Sequence, residues 1–448
     1  MISDETLRAQ AFAHKNTRLF TWFRVLFNCR FYYPVLAIFF VDMGLTISQY
    51  IMLNVIWAAV ILLLEVPSGA LADLIGRKRL VVGAAGIMIA EMFLLVIAPK
   101  DAGWWLFTVC AINRVLAGIA EAAASGADEA LAYDSLDGKN KDKQWDEVLA
   151  VLTKRMSIFM GIAVVIGSIV YDQRLYHTLT STLGVSEIPR SLIIRVPVIL
   201  CLLEGVGALI IALKMKDVGK TTDQKPANLK QIIKQTLSAM KWIVSSKIVL
   251  AVILGMMLLD VATRNFATLT STYYRYIHLP EYTYGMIGAS FAIVSIFTPL
   301  VLKPMVRKFD FFQNFAIIST AALIGLFGIA LIPNYAGVLA AMLIMLTLKM
   351  GGFVTSKFLN QLSTSEMRAT ILSVKGLLFN LGYAVFSIVF AQTLNYQKNN
   401  YGDNEQASDL AFADLLLWTP IMLSAAILAY FIVFKVLLKQ QNNTIKLH

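Results

Sequence analysis

Twelve stretches of predominantly apolar residues run through the chain, centred near Leu36, Val60, Ile89, Leu116, Ala163, Leu202, Met257, Ile293, Leu323, Leu343, Gly382 and Ile427. Each is long enough to cross a bilayer as a helix, which takes about 20 such residues. Inside lipid the backbone must satisfy its own hydrogen bonds, so runs of this length are expected to be helical. Composition agrees. Of the 448 residues, 58% are hydrophobic and 15% charged, against roughly 45–50% and 25% in soluble domains. So little polar surface cannot cover a soluble globule. The sequence therefore predicts an all-α integral membrane protein with twelve transmembrane helices. Three cysteines and four histidines show no metal-ligand spacing, so neither a metal nor another cofactor is expected. Gly219-Lys220-Thr221 resembles the end of a phosphate-binding loop, but Lys214 stands where the first glycine belongs, which argues against a nucleotide engine. The N-terminus shows no signal-peptide pattern, so the first span is expected to act as its own insertion signal.

Lysine and arginine set the orientation. Placing both termini inside puts 26 of them in the inner loops and ends and five in the outer loops. This skew follows the positive-inside rule and would not survive the opposite parity. The net charge of +11 thus has a membrane explanation. Scattered over short loops, the basic residues need no nucleic-acid partner. The expected setting is a bacterial inner membrane, with both termini cytoplasmic and the chain acting as a monomer.

The longest inner segment divides the spans six and six. The expected organisation is an N-terminal six-helix bundle over 1–213, a cytoplasmic linker over 214–246 and a C-terminal six-helix bundle over 247–448. Within the linker, Leu229, Ile232, Ile233, Leu237 and Met240 recur at helical spacing between lysines, which reads as a helix lying on the membrane surface. The halves repeat weakly. Arg155 and Lys375 occupy matching places in spans five and eleven, and Arg77-Lys78 after span two matches Arg307-Lys308 after span eight. Duplication of a six-span unit is a transporter signature.

Between spans two and three the chain reads Gly69-Ala70-Leu71-Ala72-Asp73-Leu74-Ile75-Gly76-Arg77-Lys78. Gly69 allows close backbone approach and Gly76 a tight turn. Asp73 places an anion where a facing helix N-terminus could meet it, and Ser363–Glu366, with a capping-box pattern, opens the best candidate for that helix. Arg77 can pair with Asp128, Glu129 or Asp134. In span four, Arg114, Gly118, Glu121, Ser125 and Asp128 follow at steps of three and four, which predicts one polar stripe flanked by alanines. An arginine at that depth is costly unless paired or hydrated.

The Gly69–Lys78 segment resembles the signature loop of the major facilitator superfamily at every defining position, and Arg114-Val115-Leu116-Ala117-Gly118 resembles a second pattern of that family. The resemblance covers essentially the whole chain, and the two patterns together most resemble the efflux branches of the family. It implies two bundles rocking about a midplane site, a loop that latches the cytoplasmic side, and a role in proton coupling for Arg114. Span five lacks the Gly-Pro that drug–proton antiporters of the family usually carry, which sets the chain apart from typical multidrug exporters.

Other charges lie within spans. Asp260 and Arg264 share a face of span seven, as a self-neutralised pair or as part of a site. Arg155 and Lys375 join Arg114 and Arg264 as candidates for binding an anionic substrate group. Asp42, Glu91, Glu121 and Asp260 are candidates for reversible protonation, and Glu204 lies in span six. The expectation is a non-enzymatic secondary transporter whose partners are a small molecule, protons and the bilayer. Proton-coupled export of an amphipathic or anionic compound leads, with uptake of an organic anion second and a non-transporting receptor or assembly factor third.

Overall fold

The computed structural model describes residues 4–136, 140–217, 238, 240–363, 368–402 and 405–445; at 65–66, 69–74, 368–369, 405 and 435–445 it describes the helical backbone alone. All regular structure among these residues is helical. Eleven segments are long and apolar enough to cross a membrane, and a helix pair bent by 45° at residue 297 supplies a twelfth if counted as one span. The twelve expected spans are thus accounted for. The surface helix expected over 229–240 falls almost wholly outside the described residues.

Two compact units form, one from Met1–Pro226 with Pro280–Ala292, the other from Ala227–Leu279 with Ile293–His448. The first contains α1 (Asp4–Ala13), α2 (Lys15–Asn28), α3 (Leu36–Asp42), α4 (Ile47–Ile75), α5 (Arg77–Ile97), α6 (Trp104–Ala124), α7 (Ala127–Asp134), α8 (Lys141–Ile169), α9 (Gln173–Leu183), α10 (Arg190–Ile193) and α11 (Val196–Lys214). The first span is broken between α2 and α3. Pro34 lies at the start of the short 3-10 turn Tyr33–Val35 that follows the break, and a residue before proline disfavours helix. The freed backbone is satisfied elsewhere: Phe31 N–H donates to Cys201 Sγ at 3.2 Å. Gly167 of α8 makes room for this strand-like excursion, because a Cβ there would run into the Phe31 carbonyl. At the other end of the unit, Gly76 adopts φ +95°, a conformation glycine takes at little steric cost. It turns α4 directly into α5, so most of the signature segment is the last turns of a helix.

The second unit contains α12 (Lys247–Thr268), α13 (Thr270–Tyr276), part of α14 (Thr283–Ile296), α15 (Thr298–Lys308), α16 (Phe311–Leu331), α17 (Gly337–Leu362), α18 (Arg368–Tyr401) and α19 (Glu405–Ile445). A capping box opens α16, with Asp310 Oδ1 accepting from Gln313 N at 2.8 Å and Gln313 Oε1 from Asp310 N at 3.1 Å.

The internal packing of the units corresponds. In the first, α2 packs on α8 and α11, α5 on α6 and α11, and α4 on α6; in the second, α12 packs on α18 and α19, α16 on α17 and α19, and α15 on α17. Each pair in one set has its counterpart six spans later, as a duplicated architecture requires.

Candidate functional site

The first unit buries a charge cluster around the break in span one. Arg30 Nη1 lies 3.0 Å from Glu91 Oε1, with the side chains only 6% and 1% exposed. Asn113 Nδ2 donates to the Glu91 backbone carbonyl at 2.7 Å. Arg114 Nε donates to Asn113 Oδ1 at 2.9 Å and its Nη2 to Tyr32 Oη at 3.4 Å, while its guanidinium lies over the Phe40 ring at 5.2 Å. Glu204 of α11 interacts electrostatically with Arg30, and half-buried Glu121 interacts with Glu91. Neither Glu91 Oε2 nor Glu204 Oε2 has a hydrogen-bond partner among the described residues. Two cations and three carboxylates thus gather where water screens weakly, and two carboxylate oxygens remain open to a proton.

The second unit holds a different cluster, on α12 and α18. Arg264 Nη2 lies 2.7 Å from Asp260 Oδ2. Arg264 Nη1 donates to Asn380 Oδ1 at 2.9 Å, and its guanidinium lies over the Tyr383 ring at 5.4 Å. Lys375 interacts electrostatically with Asp260 and Arg264. Its ammonium stands 4.7 Å from the Phe379 ring centre, and no carboxylate comes within ion-pair distance of it among the described residues. One carboxylate therefore serves two cations.

The polar stripe of span four does not run down one helix. The helix ends at Ala124, and Asp128 opens the separate α7 after a break at Ser125–Gly126. Of the three acids open to Arg77, Asp134 takes it. Asp128 and Glu129 instead hold Arg24 of α2, at 2.6 Å each. They are the acids of α7's first turn, and that end of the helix faces α2. Gly118 packs against Val60 of α4. Gly69 is described only as helical backbone, and the side chain of Asp73 and the Ser363–Glu366 pattern beyond Ser363 lie outside the described detail.

Arg155 does not join Arg114. Its Nη1 donates to Thr21 Oγ1 at 2.5 Å, and its guanidinium lies over Trp22 at 4.6 Å and Phe12 at 5.9 Å. Lys375 and Arg264 do share a cluster. Asp42 stands apart from both clusters. Its Oδ2 accepts from Tyr171 Oη at 2.7 Å and from Arg190 Nη2 at 2.9 Å, and the same Arg190 nitrogen reaches Glu281 Oε2 at 2.9 Å.

The sequence profile of the Major Facilitator Superfamily matches residues 19–387. The chain belongs to the major facilitator superfamily. It is accordingly a multi-pass membrane protein of a secondary-transporter family. Solved structures with the same fold include a bacterial homolog to the human lysosomal transporter Spinster in an inward-facing, unoccupied conformation, at 13% identity and TM-score 0.67, covering 97% of this chain and 98% of that one. The nucleoside transporter NupG matches at 12% identity and TM-score 0.65, covering 95% and 99%. An auto inhibited POT family peptide transporter matches at 12% identity and TM-score 0.59, covering 95% and 96%. Comparison with curated protein sequences returns no match.

In this superfamily member, sequence reasoning misses Tyr32, Asn113, Asn380 and Tyr383 as partners of the buried arginines. Nothing in an apolar helix marks a polar residue as the partner of a charge three or four spans, or one residue, away. Arg30 carries a signal, since it interrupts an apolar run, but its pairing with Glu91 depends on the break in span one.

Proposed function

We propose that the protein is a proton-coupled secondary transporter that exports a small amphipathic or anionic organic compound by alternating access, acting as a monomer in a bacterial inner membrane with both termini cytoplasmic. The observation that carries the substrate class is the surplus cation in the second unit. Asp260 is committed to Arg264, and Lys375 lies on a membrane-spanning helix without an ion-pair partner among the described residues. A cation within a membrane-spanning helix is unfavourable by up to several kcal/mol unless something balances it. An anionic substrate group would do so, with Tyr383 and Phe379 offering aromatic surface beside it. The coupling proton belongs with Glu91 and Glu204, whose free oxygens adjoin Arg30. Arg114, held by Asn113 and Tyr32, links that cluster to span four. In this reading the six-helix halves 1–213 and 247–448 are the moving bodies and 214–246 the tether. The export direction follows the resemblance of the signature loop and span four to efflux members.

The test begins with metabolites. Cells lacking the protein should retain an organic anion that cells expressing it release. The compound identified is then loaded into proteoliposomes. Uphill movement should require an imposed proton gradient, and Lys375→Gln should reduce its rate at least tenfold while Lys375→Arg retains part of it. Binding without flux would replace the transporter reading with a receptor. Uphill movement in the opposite sense would make the protein an importer.

A further inference from the structure

An open pocket lies beside the first unit's N-terminal helices, away from both buried clusters. It has a volume of about 490 Å³ and is framed by α1, α2 and the middle of α8. Three arginines, Arg8, Arg18 and Arg155, and one acid, Glu5, line it. None of the three arginines forms an ion pair with a carboxylate among the described residues. Arg8 and Arg155 are close enough to repel each other. The pocket therefore holds a surplus of about two positive charges with no fixed anion to offset it.

The site is built, not a loose scatter of surface charge. Buried Leu7 and Ala11 seat α1, which packs on α8. Phe12 and Trp22 flank the Arg155 guanidinium, and Trp22 is itself held edge-on by Phe159, ring centres 5.2 Å apart. Thr21 Oγ1 donates to the Arg18 carbonyl at 3.0 Å and accepts from Arg155 Nη1 at 2.5 Å. One donor of Arg155 is thus engaged and its plane is set, which leaves the rest of its five N–H groups for a ligand. Planar, oriented guanidinium groups match the oxygens of phosphate by paired charge-assisted hydrogen bonds. The volume lies in the range of small-molecule sites, roughly 300–1,000 Å³, so it has room for an organic portion against Phe12 and Trp22 as well as the anion. A tryptophan 37% exposed about two turns inside the N-terminal end of a membrane-spanning segment also suits the interfacial region of a bilayer.

We propose that this pocket binds a phosphate anion carried on an organic body, its oxygens bridging Arg155, Arg8 and Arg18 and its body resting on Phe12 and Trp22. Two sources share that chemistry, the headgroup of an anionic phospholipid and a soluble phosphate monoester. Bound ligand would pin α1 to α8 by removing the repulsion between Arg8 and Arg155.

The test uses the full-length protein purified in a neutral detergent. In one arm, native mass spectrometry follows retention of phosphatidylglycerol against phosphatidylcholine. In the other, calorimetry follows binding of sn-glycerol 3-phosphate against glycerol. The expected result is preference for the anionic probe in at least one arm, weakened about tenfold in the Arg8→Gln/Arg155→Gln double variant, as removal of charge-assisted contacts implies. Preference in the first arm alone identifies a lipid site, and in the second a soluble-phosphate site. Arg8→Gln and Arg18→Gln, both at exposed positions, keep the test valid if changes at Arg155 impair folding; each alone should weaken binding severalfold. Equal retention of charged and neutral probes by the unaltered protein, or undiminished binding in the variants, overturns the proposal.

Discussion

Arg30 and Glu91 are nearly inaccessible to solvent and 3.0 Å apart, so either one alone would lose its closest buried partner, with Glu204 the remaining carboxylate acting on Arg30. Glu91→Gln should destabilise the first unit by about 3–5 kcal/mol, the usual consequence of breaking a buried ion pair from one side. A large fall in the melting temperature of the detergent-purified protein would show it. Replacing both residues together by leucine should recover much of the loss, because apolar pairs of similar volume often substitute for buried ion pairs. A double variant no more stable than Glu91→Gln would contradict this account. The Arg77–Asp134 pair differs, with side chains 34% and 24% exposed. Partly solvated pairs contribute about 0–1 kcal/mol, so Asp134→Asn should leave the melting temperature almost unchanged. If the signature segment acts as a latch, the same substitution should slow or uncouple transport. Unchanged flux would assign the pair to topology alone.

At the scale of elements, the breaks matter more than the helices. Gly167 accommodates the interrupted backbone of span one, and Gly167→Ile would drive a branched side chain into it. Overpacking alone is unfavourable by about 1–3 kcal/mol, and collision with a backbone carbonyl should exceed that. The measurable outcome is loss of monodisperse protein on size exclusion, or a melting temperature well below that of an Ile substitution at open Gly161. The segment before α14 presents a second case. Arg190 contacts Glu281, Asp172 Oδ2 accepts from Tyr282 N at 3.0 Å, and Ser168 Oγ donates to the Tyr282 carbonyl at 3.0 Å. These contacts hold residues from beyond span seven within the first unit. Arg190→Gln should therefore raise hydrogen exchange over 280–285 selectively, and unchanged protection there would show that the backbone contacts suffice. Neither break was legible in sequence. Arg30 interrupts an apolar run without marking where the helix breaks, and Gly126 sits among alanines that propensity alone would keep helical.

For the whole molecule, the repeated packing within the two units is the feature that bears most on function. Each unit presents the same helix pairings but different chemistry, a cluster of two arginines and three glutamates in the first and an Asp–Arg–Lys cluster with a surplus cation in the second. If proton and substrate are handled by different units, Arg114→Ala should abolish proton-driven uphill flux while leaving downhill exchange of substrate measurable. Equal loss of both would place Arg114 in the substrate path. A protonophore should stop uphill transport in proteoliposomes that contain no nucleotide, and its having no effect would remove the proton as the coupling ion.

The number of spans and the all-helical class were settled by the sequence alone. A run of apolar residues long enough to cross lipid has few other options, because an unpaired backbone is intolerable there. The signature segment was equally legible, since its glycine and charges sit at a boundary where local geometry and topology set the requirement. Which charge meets which was decided only by the folded structure. Arg77 found Asp134 rather than Asp128, Arg155 turned to Trp22 rather than toward Arg114, and Arg30 reached Glu91 across a broken helix. Ion pairing depends on distances of a few ångströms between residues on different helices, whereas hydropathy along one chain carries no record of the rotation, breaks or neighbours of the helix it encodes.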